Sequence, residues 1–449
     1  MISNYIMELL TGATLRAVFA LLAALSAALL PGAADADFVG HGGMVRSVAI
    51  SPDGRKLLSG SFDYSAMIWD FEEQGEVAVL DAHAGPVNKV LFVSDDQVLS
   101  AGDDGVVKLW SLAPGARKPL RSFSGHKHKV MALARPPGGG LVASGSWDKT
   151  VRLWDPANGE TVTRIELPVP VNALAFAGKG LLAVGGHDPF IRLFDPMTGR
   201  AKGKLEGHLM AITDLAASAD GRWLLSASID KTVRLWDLAE MKSVRTYRDH
   251  DKPVYAVRFV PGGRSFVSAG GDGLIAVWKT GGEAPERVIE AGTRIVWALA
   301  VTPDGRFAIS AGADERLKVW HLQSGDRISV AGDDVLDDEP KPWLSSDHPG
   351  ARLYRKCARC HSLDDNGRRR SGPHLKGLFG RVVGTVPGYN YSAALRGNAF
   401  TWTRDTLFEL FHDGPDKMLP GTKMPVQRVP DGGELALLID YLQIITATE

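Results

Sequence analysis

Between Phe38 and about Val330 the chain runs in short segments in which apolar and polar positions alternate, as in Lys149-Thr-Val-Arg-Leu-Trp154, punctuated by Pro-Asp-Gly or Gly-Gly. A two-residue period sends successive side chains to opposite faces of a sheet, and the turn residues supply the reversals, so the pattern predicts antiparallel strands. The pattern also repeats. A tryptophan with a polar neighbour closes a unit at Trp69, Trp110, Trp154, Trp236, Trp278 and Trp320, and Phe194-Asp195 fills the gap, at intervals of 40 to 44 residues. Six residues before each stands an aspartate: Asp63, Asp104, Asp148, Asp188, Asp230, Asp272 and Asp314. Another 21 or 22 residues upstream, five units carry a histidine: His41, His83, His126, His208 and His250.

This spacing resembles the WD-repeat β-propeller, and the resemblance implies an all-β ring of seven four-stranded blades over residues 37–330. In that family the histidine, a serine, the turn aspartate and the tryptophan form one hydrogen-bonded set. Six units supply Ser59, Ser100, Ser144, Ser226, Ser268 and Ser310. The fourth has Glu166, Val184 and Phe194 instead, an apolar pair that leaves no donor unmatched. The last has Gly292 where its histidine should stand, so its network is expected to be incomplete. Because these acids and histidines recur once per blade, they read as structural rather than as a metal or acid–base centre. The resemblance places Phe62, Trp147, Ile229, Tyr255 and Trp297 on the narrow top face, as anchors for a partner protein or as packing between blades. Either Phe38 or the strand around Arg327 to Val330 closes the ring.

After residue 330 the two-residue period stops. Asp333, Asp334, Asp337, Asp338 and Glu339 precede Pro340 and Pro342, which reads as a solvated linker over 331–347. A small helical domain follows over 348–449. Pro349 suits a helix start, Leu353, Tyr354 and Cys357 share a face on a helix that carries the cysteines, and Glu434 to Ile445 forms a closing helix whose Leu438 and Leu442 pack on the first.

The strongest chemical signal is Cys357-Ala-Arg-Cys360-His361. Two thiols three apart can each form a thioether with a haem vinyl group, and the adjoining histidine reaches the iron from the same side. Zinc would need a second ligand pair, and the chain has 2 cysteines. Further on stand Gly372-Pro-His-Leu-Lys-Gly-Leu-Phe-Gly-Arg381, Pro387-Gly-Tyr-Asn-Tyr391, Thr401-Trp402 and Pro420-Gly-Thr-Lys-Met424. Together these resemble class I cytochrome c of the mitochondrial and bacterial photosynthetic type. The resemblance implies one covalent haem c on Cys357 and Cys360, with His361 and Met424 as axial ligands. It also implies a hydrogen bond from His361 to the Pro373 carbonyl, and Arg381, Tyr391 and Trp402 beside a propionate. Filled axial positions favour outer-sphere electron transfer to a redox partner protein or respiratory complex over substrate chemistry. The alternatives are a haem sensor or peroxidase-like enzyme in which Met424 is displaced, and a scaffold with an accessory haem. Leu410 and Phe411 depart from the family, many of whose members have a tyrosine there. His374 and His412 read as surface histidines.

Composition adds bounds. A formal charge of −1 over 449 residues gives no overall pull toward nucleic acid or anionic membrane. Residues 349–449 hold 14 Lys and Arg against 10 Asp and Glu, and Arg368, Arg369 and Arg370 could steer an acidic redox partner. No G-x-S-x-G, phosphate-loop or H-E-x-x-H motif is present. The apolar run Ala17 to Leu30, then Pro31-Gly32 and the small residues Ala33, Ala34 and Ala36, reads as a secretory signal over 1–36, or as an uncleaved membrane anchor. Export agrees with covalent haem, which this family acquires outside the cytoplasm, so a bacterial periplasm is the expected compartment.

Overall fold

The structure, a computed structural model, describes residues 37–447 apart from 117, 329–341, 355–356, 360, 366–371, 388, 390, 421, 423 and 425–427. The expected leader, most of the linker, Cys360 and Arg368 to Arg370 lie outside the described residues.

Each repeat folds into one antiparallel blade. Blade three is typical, with Val130–Ala134, Val142–Ser146, Thr150–Trp154 and Thr161–Glu166 paired in chain order from the axis outward. The seven innermost strands touch in a closed cycle, which makes the sheets a seven-bladed propeller. Both candidate closing strands share the task. Asp37–Val39 pairs with one half of Arg316–His321, from Arg316 to Lys318, and Arg327–Ile328 pairs with Val319 and Trp320. Asp37 clasps the joint by accepting hydrogen bonds from Arg316 and Arg327, each at 3.2 Å. Phe38, 1% exposed, sets its ring edge-on to Trp69 at 5.8 Å. Joining the two ends of the propeller chain removes the exposed edge an open blade would leave.

In the five blades with a histidine the predicted set is present. Nδ1 lies 2.7–2.9 Å from the turn aspartate and Nε2 lies 2.6–2.8 Å from the serine Oγ. The same Oγ accepts the tryptophan Nε1–H at 2.7–2.9 Å. A neutral imidazole satisfies every member: Nδ1–H donates to the carboxylate, the hydroxyl donates to Nε2, and the indole donates to the hydroxyl.

The other two blades solve the same problem with a cation. In blade seven Trp320 still donates to Ser310 at 2.8 Å, and the Lys318 ammonium takes the histidine's place, 2.5 Å from Asp314 and 2.8 Å from the Ala291 carbonyl. The network there is incomplete, as expected: the lysine pairs with the aspartate, and no imidazole joins Asp314 to Ser310. In blade four Asp188 accepts both arms of Arg192, at 3.0 and 2.6 Å, over a buried Val184 and Phe194. Its turn differs as well. The residue after the aspartate has positive φ in the other six blades, at Tyr64, Gly105, Lys149, Lys231, Gly273 and Glu315, whereas Pro189 cannot adopt that conformation.

The C-terminal domain is helical. Its main helices are α1 (Pro349–Tyr354), α2 (Arg404–His412) and α3 (Gly432–Ile445). Thr403 and Thr406 cap α2 reciprocally, and the Asp431 carboxylate accepts the Glu434 N–H at 2.8 Å to start α3. Tyr354, Leu407, Leu410, Phe411, Leu435, Leu438 and Leu442 form the core between them. Two expectations shift. Cys357–Arg359 forms a 3-10 turn rather than part of an α-helix. Pro342–Ser345, assigned to the linker, is a helical turn whose Trp343 ring meets Tyr354 edge-on at 5.4 Å and packs on the domain core.

Candidate functional site

The C-terminal core opens into a cleft lined by Cys357, His361, Gly372, Pro373, Arg381, Tyr391, Trp402, Leu410, Phe411 and Met424. All predicted haem-site residues among those described therefore meet on one surface.

His361 is held from two sides. Its Nδ1–H donates to the Pro373 carbonyl at 2.7 Å, which fixes the tautomer and makes Nε2 the nitrogen able to take a metal. Gly372 lies against the ring so closely that a Cβ there would stand 2.3 Å from Cε1 and 2.4 Å from Nδ1. The backbone sequence Gly372-Pro373 thus forms a slot of imidazole width. His361 N–H in turn donates to the Cys357 carbonyl at 3.0 Å, tying the histidine to the cysteine's backbone. On the methionine side, Met424 N–H donates to Thr422 Oγ1 at 3.2 Å.

The polar rim is built by two antiparallel segments. Gly380 N–H reaches the Trp402 carbonyl and Trp402 N–H the Arg381 carbonyl, both at 2.9 Å, so the arginine and the indole are set by the same pairing. Arg381 donates to the Lys376 and His374 carbonyls, each at 2.9 Å, and burial lowers its pKa. Tyr391 OH accepts the Val386 N–H at 3.3 Å, and burial raises the phenol's pKa. Leu410 and Phe411, 3% and 5% exposed, keep the wall apolar where a tyrosine hydroxyl was not found in the sequence.

Three residues at this cleft were missed. Tyr389 packs edge-on to Tyr391 at 4.7 Å, Thr422 positions Met424, and the Ser392 hydroxyl is buried on the cleft with no hydrogen-bond partner among the described residues. Their proximity to Tyr391 and Met424 was the available signal. His374 is half-buried rather than a surface residue, and burial, aided by the Arg381 charge, lowers its pKa. His412 is exposed and pairs with Asp413 at 2.8 Å.

The donor set suits a haem. One imidazole, one thioether and one thiol border an apolar slot, and its rim offers an arginine, a phenol and the orphaned Ser392 hydroxyl for carboxylates.

The propeller residues are less uniform than expected. Phe62 is exposed. Trp147 is half-buried, donating to Asn172 Oδ1 at 3.0 Å and meeting His187 edge-on at 5.1 Å. Tyr255 and Trp297 lie 4.4 Å apart across neighbouring blades, and Ile229 is half-buried. The tyrosine and the two tryptophans therefore cement blade joints, and Phe62 is the one aromatic of the set left free of such packing.

Comparison with known proteins agrees with both halves. The WD domain, G-beta repeat family matches residues 35–70, 74–111, 117–155, 199–237, 241–279 and 284–321, leaving the divergent fourth blade outside those segments. Cytochrome c of Sesamum indicum is 43% identical over 99 residues, 22% of this chain and 88% of that protein. Cytochrome c of Nigella damascena is 40% identical over 99 residues, again 22% and 88%. Cytochrome c 2.1 of Caenorhabditis elegans is 39% identical over 99 residues, 22% of this chain and 87% of that protein.

Proposed function

For a chain that belongs to the WD-repeat family and, in its C-terminal region, to the cytochrome c family, we propose the role of an exported electron carrier. Cys357 and Cys360 would hold one haem c covalently, and His361 and Met424 would ligate its iron. The propeller docks the redox partner, a protein or respiratory complex. The observation that carries this reading is His361, wedged between Gly372 and the Pro373 carbonyl and facing a cleft that Met424 also lines.

With His361 and Met424 holding its iron, a haem bound here would supply one-electron transfer rather than substrate chemistry. The chain's own residues do the rest. The Pro373 carbonyl keeps the His361 proton on Nδ1 and raises the basicity of Nε2. Leu375, Leu378, Leu407 and Leu419 exclude water, which favours the less charged oxidation state and limits reorganisation. Arg381 places a fixed positive charge at the rim, where it offsets a carboxylate that would otherwise be costly to bury.

The apolar run Ala17 to Leu30 supports export, and we assign the mature chain to the periplasm, free or held by an uncleaved N-terminus. Packed, half-buried blade joints at Trp147 and Trp297 support a docking platform, with the exposed Phe62 as its contact residue.

The test is the absorption spectrum of protein matured in a periplasm, oxidised and reduced, with and without carbon monoxide. A weak far-red sulfur-to-iron band and no carbon monoxide shift are expected; Met424→Ala should lose the band and bind carbon monoxide. Ready binding by the unaltered protein would move the sensor or peroxidase reading ahead.

A further inference from the structure

The channel of the propeller carries more positive charge than it neutralises. Arg46, Lys89, Asp214 and Arg258 come from the innermost strands of blades one, two, five and six. Blades two and five are not neighbours, yet Lys89 Nζ lies 3.8 Å from Asp214 Oδ1, so these side chains meet across the axis. Asp214 is committed to the far side: its Oδ2 accepts the Arg258 guanidinium and the Val257 N–H, the latter at 3.2 Å. A second carboxylate, Asp103, is likewise taken, by Asn88 Nδ2 at 2.7 Å and Lys129 Nζ at 3.1 Å.

Two cations remain short of acceptors. Lys89 stands beyond hydrogen-bond reach of its nearest carboxylate. The Arg46 guanidinium sits over the Trp297 ring, its Cζ 4.1 Å from the ring centroid, and no described residue accepts a hydrogen bond from it. Burial pushes Arg46 down to about 10 against the upward pull of Tyr255, Asp214 and Asp103, so it stays charged at neutral pH. Four basic side chains thus face two carboxylates, which are engaged by Arg258 and Lys129; burial lowers the Lys89 pKa against the upward pull of Asp214, and a bound anion would pull it up further. Arg46 and Lys89 are both half-buried in the channel, and a bound anion would supply the acceptor each lacks.

We propose that the propeller channel binds a small dianion of the phosphate class, seated between Arg46 and Lys89. A tetrahedral oxyanion can accept from the forked guanidinium and from the ammonium at once, and two negative charges match the local excess. The site lies in the propeller alone and stands independently of the haem reading.

The full-length protein would be titrated with inorganic phosphate at fixed ionic strength, following the fluorescence of the tryptophans, of which Trp297 touches Arg46, and the thermal unfolding temperature. A saturable fluorescence change with a rise in unfolding temperature is expected, and Lys89→Met should weaken the apparent affinity by about tenfold or more, the loss of one charge-assisted bond. Arg46→Gln is the second variant should the first fail to fold, with the same expectation. No saturable response, an equal response in a folded variant, or an equal response to succinate would overturn the proposal.

Discussion

Gly350 and Leu437 meet where α1 crosses α3: a Cβ on Gly350 would stand 2.1 Å from the Leu437 carbonyl oxygen and 2.7 Å from Tyr441 Cβ. Neither atom belongs to the end of a flexible side chain, so neither can move aside cheaply. On propensity alone, Gly350→Ala should stabilise a helix by about 1 kcal/mol. The contact reverses that sign, and a net loss of about 1–3 kcal/mol is expected from overpacking. Calorimetry should show the unfolding of the C-terminal domain moving to lower temperature with the propeller transition unchanged; a stabilised variant would mean that the helices part freely.

The second close approach bears on the haem. In Gly372→Ala the added Cβ would overlap the His361 ring at 2.3–2.7 Å, so the imidazole must turn away from the Pro373 carbonyl. The expected result is a matured protein whose absorption spectrum changes in its main band and which loses the far-red band. An unaltered spectrum would show that the slot has room to spare.

The blades were legible in the sequence because their marks are periodic and local: Ser59, Asp63 and Trp69 lie within one hairpin, and His41 precedes them at a fixed distance. The substitutes for histidine were not. A basic residue also stands four after the turn aspartate at Lys108, Arg152 and Arg234, where the histidine already holds the acid; Arg152 turns instead to the Gly125 carbonyl at 2.9 Å. Only in the absence of the imidazole does the aspartate capture that cation, and spacing alone does not reveal this. Trp343 was hidden by its neighbours, since it follows directly on a run of acids and prolines. The haem cleft was legible through its motifs, and Tyr389, Ser392 and Thr422 escaped because they act through neighbours rather than through a pattern of their own. Arg46, Lys89, Asp214 and Arg258 lie on four different repeats, so their meeting is a product of ring closure and leaves no trace in any one of them.

The shared serine predicts a large local cost. In Ser226→Ala, His208 Nε2 and Trp236 Nε1 both lose their partner inside blade five. Each orphaned buried group costs about 1–3 kcal/mol, so denaturant unfolding should reveal a loss well beyond that of an ordinary surface change. Placing a hydroxyl where blade four has none, by Val184→Ser, should also destabilise, since Phe194 offers it no donor. A neutral Ser226→Ala would contradict the relay.

Acid should unfold the propeller through these same carboxylates. Burial alone would raise the Asp148 carboxyl, but hydrogen bonds from Thr150, the Lys127 N–H and His126 outweigh it and hold its pKa at about 2. The folded value lies below the ordinary 3.8, so the stabilisation it represents is complete above that value and is lost as pH falls through about 2. Asp63, Asp104, Asp230 and Asp272 are displaced in the same direction. His126 is also displaced downward, by burial, so its share begins to fail earlier, as pH drops below the ordinary 6.5. Asp148→Asn should therefore be less stable than the unaltered protein at pH 7, with the gap narrowing between about pH 4 and pH 2 as the wild-type carboxyl takes up its proton. Urea unfolding of both proteins across that range gives the gap directly, and a constant difference would remove Asp148 from the account of acid stability.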